Sequence, residues 1–156
     1  MSVRSKALRV SLCICSAIAG FSAAAVSTSA VAAPNIATDS AVFVEHRQAN
    51  SVRSLEPAND LSRGDRVVTI LRWYRLGGDG DFTITNPLPK AITYQKSTRS
   101  DELVSVDGGR TWGRLGQLRI GARYATPEDV THVRWRISAR RAQHGSGQIA
   151  YRGIVR

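Results

Sequence analysis

The sequence predicts an all-β chain, an antiparallel sandwich or small barrel of about seven to nine strands. Three observations predict it. Apolar residues alternate or gather in short runs bounded by Gly, Pro, Asp and Asn. No long stretch keeps the 3.6-residue period of an amphipathic helix. Turn signals recur at roughly the 8–12-residue spacing of a sandwich.

The N-terminus stands apart from this pattern. Arg4, Lys6 and Arg9 give a positive start, Leu12 to Phe21 is a short apolar run, and Ser22 to Ala33 is rich in small residues. That layout is a secretory signal peptide over residues 1–32. Cleavage is expected after Ala30-Val31-Ala32, because a cut after Ala33 would leave the rigid ring of Pro34 next to it. The alternative is retention as an anchor, since residues 12–33 are uncharged and just long enough to span a bilayer. Against it, Ala and Ser fill the second half and no basic stop-transfer cluster follows. Residues 33–40 then form a flexible mature N-terminus, and 41–156 a single domain.

Both cysteines, Cys13 and Cys15, fall in the signal. The mature chain has no disulfide, thiolate nucleophile or cysteine metal site. Leu12 and Ile14 precede the two cysteines and the apolar run lies downstream, which excludes a lipoprotein. A domain of this size is expected to hold together by its core alone. Loss of Arg4, Lys6 and Arg9 leaves 19 basic and 12 acidic residues, a net charge of +7. That balance favours anionic neighbours such as lipid head groups or acidic glycans.

Taken in order, Ala41–His46 and Ser51–Leu55 read as an opening pair of strands, followed by a loop from Glu56 to Asp60. Arg66–Arg75 is the longest strand. Val67, Val68, Ile70 and Leu71 put apolar groups on both of its faces, as a central strand or a bulge would. Asp81–Thr85 follows a glycine turn, Asn86-Pro87-Leu88-Pro89 forms a corner, and Ala91–Gln95 resumes. Leu103–Val106 and Arg110–Trp112 flank Asp107-Gly108-Gly109, a hairpin signal. Leu118–Ala122 is a weak strand. Ala125–Asp129 fits one helical turn, with Thr126 as cap and Pro127 in first position. Thr131–Ser138 and Gln148–Val155 close the chain. In the first of these Val133, Trp135 and Ile137 share one face and His132, Arg134, Arg136 and Ser138 the other; in the second Ile149, Tyr151 and Val155 oppose Gln148, Arg152 and Arg156.

Leu61-Ser62-Arg63-Gly64-Asp65-Arg66-Val67, the corner from Phe82 to Tyr94, and Gly145-Ser146-Gly147 leading into Gln148–Val155 together resemble a bacterial family. It is the conserved-repeat β-sandwich domain catalogued as domain of unknown function 11. The resemblance spans most of residues 40–156, with the Asn-Pro-Leu-Pro corner its strongest element. The chain departs from the family at the turn Leu76–Asp81 and at Asn86, where the family carries Asp. The resemblance implies an immunoglobulin-like sandwich on surface or envelope proteins, with no catalytic residues; the chain carries a single copy.

Several strings invite functional readings. Arg63-Gly64-Asp65 has the form of an adhesion tripeptide, but Gly-Asp is also ordinary strand-entry chemistry. Asp79 and Asp81 are the calcium candidates of the Gly77–Asp81 turn, although Ca²⁺ wants six or more oxygens and this turn is a single copy. Arg72-Trp73-Tyr74-Arg75 and Arg134-Trp135-Arg136 interleave cations and aromatics. Alternation places Trp73 and Trp135 in the core and leaves Arg72, Arg134, Arg136 and Arg152 as candidates for a basic exterior that binds polyanions. His46, His132 and His144 lack metal-ligand spacing. Ser146 lacks a nucleophile-elbow motif, and Glu128-Asp129 do not converge as an acid–base pair.

The expectation is therefore a non-enzymatic exported module without a cofactor, in the periplasm, on the outer surface or secreted. It would have a structural or protein-interaction role toward an envelope or surface component. The alternative is a module binding lipopolysaccharide or acidic glycan. Specific nucleic-acid binding and a membrane span after cleavage are not expected.

Overall fold

The structure is a computed structural model that describes residues 32–47 and 53–156. The expected signal peptide and its cleavage, except at Ala32, lie outside the described residues. Among those described, the chain is mostly β, in antiparallel sheets. The strands are β1 (Asn35–Arg47), β2 (Arg53–Pro57), β3 (Arg66–Gly77), β4 (Phe82–Pro87), β5 (Ile92–Ser97), β6 (Leu103–Ser105), β7 (Arg119–Ile120), β8 (Arg123–Tyr124), β9 (His132–Ile137) and β10 (Ser146–Val155). A five-stranded sheet runs in the order β2-β1-β3-β10-β5 and a three-stranded sheet in the order β4-β9-β6; β7 and β8 form a small ribbon.

The two larger sheets share one core, which makes the architecture sandwich-like. Val67, Leu71 and Trp73 of β3, Ile149 and Tyr151 of β10, and Ile92 and Tyr94 of β5 meet Ile84 of β4 and Val133, Trp135 and Ile137 of β9. The inward set of β9 is the one its alternation predicts. Trp135 stacks on Tyr151 with ring centres 5.9 Å apart, and its Nε1–H donates to Ser97 Oγ at 3.0 Å. Trp73 meets Phe82 edge-on at 5.2 Å. No helix among the described residues is long and apolar enough to cross a membrane.

β3 lies between β1 and β10, so its apolar residues on both faces are those of a central strand. Val68 is buried on the outer face, opposite Phe43 of β1.

Three expectations are corrected. Residues 35–40 are not a flexible tail: β1 begins at Asn35 and pairs with β3 from Ile36↔Arg75 onward, and Ile36 packs against the core. The loop expected from Glu56 is still strand through Pro57, held opposite Phe43. Arg110–Trp112 is not a strand. Only an isolated bridge joins Val104 to Gly113, because backbone groups in this loop bond to side chains instead of to a facing strand.

Asp107 organises that loop. Its carboxylate accepts from Arg110 N–H at 3.0 Å, Thr111 N–H at 2.9 Å, Thr111 Oγ1 at 2.7 Å and Ser105 Oγ at 2.8 Å. Gly108 and Gly109 take φ of 79° and 90°, which permits the tight path. The expected turn at Pro127 is present as a 3₁₀ turn, Pro127–Asp129. Asp129 accepts from Thr126 N–H at 2.8 Å and clasps Arg123 through two bonds of 2.6 and 2.8 Å. A four-residue helix, α1 (Ala139–Ala142), joins β9 to β10, with Ser138 as its cap.

These bonds hold both carboxyls well below the usual range, Asp107 chiefly through Thr111 and Asp129 chiefly through Arg123. A depressed folded-state pKa adds stability above the unfolded value of ~3.9 and loses it as pH falls through the folded value. The Tm is therefore expected to fall more steeply below pH ~4 in the native chain than in a D107N/D129N variant. Parallel Tm-versus-pH curves in acid would contradict the assignment.

Candidate functional site

The unequal sheets create the principal cleft. Contacts such as Trp73–Phe82, Trp135–Tyr151 and Trp135–Ser97 set β4 and β9 over β3, β10 and β5. Among the described residues, no strand faces the inward side of β1. Thr38 and Ser40 are exposed there, and Val42 is 40 % exposed despite pointing to the core side.

Two adjoining cavities fill this gap and share Asn86. One, of about 510 Å³, lies between the start of β1 (Ile36, Thr38) and β4 (Phe82, Ile84). The other, of about 410 Å³, is the more apolar in its lining, with Val42, Leu61, Pro87, Pro89 and Ile92 among its walls. The Asn-Pro-Leu-Pro corner holds the junction. Asn86 Nδ2 donates to the Tyr151 hydroxyl at 2.8 Å, Leu88 N–H donates to Thr131 O at 2.8 Å, and the Leu88 side chain is buried.

β4 borders the slot with an edge that pairs with no strand among the described residues. Opposed residues of an antiparallel pair alternate between exchanging ladder bonds and exchanging none. Leu88 N–H bonds to Thr131 O, each one residue beyond the paired segments of β4 and β9, and continuing that alternation back along the register has Phe82, Ile84 and Asn86 bond inward to β9. Val104 spends its backbone bonds on Gly113, which fixes the same alternation from the β6 side. Thr83 and Thr85 are left with backbone groups turned to the slot. Pro87, with no N–H to offer, ends that edge.

The four arginine candidates do not form one stripe. Arg72 and Arg152 lie on the outer face of the five-stranded sheet, Arg134 and Arg136 on the outer face of the three-stranded sheet. Each is engaged. Arg72 lies 3.5 Å from Asp39, Arg152 lies 3.4 Å from Glu45, and Arg136 meets Asp81 at 2.6 Å. Arg134 donates to Thr85 Oγ1 at 3.1 Å and lies 3.6 Å above the Trp112 ring. The calcium candidates also face cations. Asp79 lies 3.5 Å from Arg75, and the hydrogen bond from Arg136 holds the Asp81 carboxyl below its ordinary range. Among the described residues, no three His, Cys, Asp or Glu side chains group as metal ligands.

Trp73 and Trp135 are fully buried, so neither offers a stacking platform. In Arg63-Gly64-Asp65, Gly64 has φ 92° and its N–H donates to Val155 O at 2.8 Å, while Asp65 Oδ2 accepts from Ser62 N–H at 2.7 Å. The tripeptide is a turn stitched to the last strand. His46, His132 and His144 lie at separate places: His46 near Glu56, His132 against Trp112, and His144 after α1. Comparison with family models, curated proteins and solved structures finds no match.

Proposed function

We propose that this chain is an exported, non-enzymatic β-sandwich module that binds an extended segment of another envelope or surface protein as an added strand. The observation that carries the reading is the slot. A free β4 edge presents the Thr83 and Thr85 backbone beside the uncovered inward face of β1. A strand seated there would extend the three-stranded sheet and cover Val42, with ladder bonds supplying affinity and side-chain pockets supplying selectivity.

Export rests on the N-terminal charge, apolar and small-residue pattern. The immunoglobulin-like assignment is supported by two face-packed antiparallel sheets whose chain crosses between them at β3–β4, β4–β5, β5–β6 and β9–β10. The strand order departs from that scheme at β10, which lies between β3 and β5 and not at a sheet edge.

Peptides selected from a random display library on the purified mature protein are expected to slow hydrogen exchange at the Thr83 and Thr85 amides. Thr83→Pro is expected to abolish their binding and keep the fold, because an edge strand tolerates proline where its N–H faces solvent. Selected peptides that leave both amides exchanging freely would overturn the reading. So would turnover of glycans, esters or peptides that is lost on a single polar-to-alanine change.

A further inference from the structure

We propose that a depression on the outer face of the five-stranded sheet, formed by Arg66, Gln95, Lys96 and Arg152, binds a monophosphate ester. It lies on the face opposite the slot, has a volume of about 280 Å³, and is completed by Glu45, Gly153 and Ile154.

A break in strand register builds it. β10 pairs with β5 through Arg152↔Lys96 and then Gly153↔Tyr94, so Gln95 has no partner of its own. This is a β-bulge, a device that re-aims side chains. Tyr94 points into the core, whereas Gln95 and Lys96 are both exposed and both line the depression. A regular ladder would turn only one of the two outward. Gly153 permits the bulge, since a Cβ there would collide with the Ile92 side chain and stand 3.0 Å from Thr93 O. Arg66 enters from β3, opposite Ile154.

The charges define the ligand. The Glu45 side chain is 7 % exposed, and its Oε1 lies 3.4 Å from both Arg53 Nη1 and Arg152 Nε. The Arg152 contact is one of charge only, for its Nε has no hydrogen-bond partner among the described residues. Arg66 and Lys96 take part in no ion pair among the described residues. Three cations against one carboxylate leave the depression at +2. A monophosphate ester is close to a dianion at neutral pH, whereas a carboxylate or a phosphodiester carries one charge. Guanidinium forks match phosphate oxygens, the Gln95 amide adds donors, and Ile154 gives the organic half an apolar wall.

The test is calorimetric titration of the purified mature protein with glucose 6-phosphate at low ionic strength. Glucose and inorganic phosphate serve as the two halves of the ligand. Glucose 6-phosphate is expected to bind and glucose not to. Arg66→Ala and Lys96→Ala are each expected to weaken binding about tenfold or more, the scale of a lost charge-assisted hydrogen bond. Both side chains are exposed, so their variants are expected to keep the native Tm. The double variant R140A/R141A removes two charges from the separate basic cluster beside Arg99 and His144, and is expected to change affinity less than about threefold. An equal loss in R140A/R141A, binding of glucose, or no binding of the sugar phosphate would overturn the site. Equal affinity for inorganic phosphate would overturn the ester.

Discussion

Replacing Trp135 by alanine is expected to destabilise the fold by about 3–5 kcal/mol, measured by urea unfolding. The side chain is fully buried at the centre of β9, stacked on Tyr151 and hydrogen-bonded to Ser97. Its removal opens a cavity between the sheets where no neighbouring strand can move in, since β9 is fixed by β4 on one side and β6 on the other. A domain typically has about 5–15 kcal/mol of stability in total, so the variant is expected to be partly unfolded at 37 °C. The phenylalanine variants separate packing from hydrogen bonding. W135F gives up the bond to Ser97, whereas the Trp73 Nε1 is buried without a partner among the described residues, so W73F is expected to cost less than W135F. The reverse order would contradict this account of the core.

Gly147→Ala is expected to cost about 1–3 kcal/mol, more than an exposed glycine would. Gly147 lies opposite Trp73 across the β3–β10 ladder, and the indole covers the space where a side chain would stand. A Cβ there would lie 2.5 Å from Trp73 Cζ2 and 2.8 Å from its Nε1. The indole has nowhere to retreat, because Phe82 meets it edge-on from the other sheet. Gly116 is the control: a Cβ there meets nothing within 4 Å, and G116A is expected to stay within about 0.5 kcal/mol of the native chain. Equal costs at the two positions, read from urea midpoints, would show that the Trp73 contact does not set the requirement for glycine.

The closing strands were legible because one face of each is buried against the other sheet. That condition writes alternation into the residues, as in Val133, Trp135 and Ile137. The start of β1 was illegible for the opposite reason. Thr38 and Ser40 face the slot and not a partner sheet, so nothing requires them to be apolar, and Asn35–Ser40 reads as a tail. The Asp107 loop hid differently. Asp-Gly-Gly suggests a hairpin, yet the Ser105, Asp107 and Thr111 side chains, set around the two glycines and followed by Trp112, make a self-bonded loop. The polar side chains on both sides of the glycine pair were the available signal. The slot and the phosphate depression follow from unequal strand number and from one extra residue on β5. Both are properties of how strands are set side by side, which a single strand's pattern does not record. The arginine candidates illustrate the same limit: alternation placed them outside the core, but only the strand order assigns them to opposite faces.

The proline at the end of the β4 edge bears on how copies of this chain can aggregate. Two copies joined β4 to β4 would use the same patch on each and be related by a two-fold axis, which closes the assembly at two. The edge would then be consumed, and Pro87 limits how far the shared ladder could slide. Association through this edge alone is therefore expected to close at dimers and not to propagate along it.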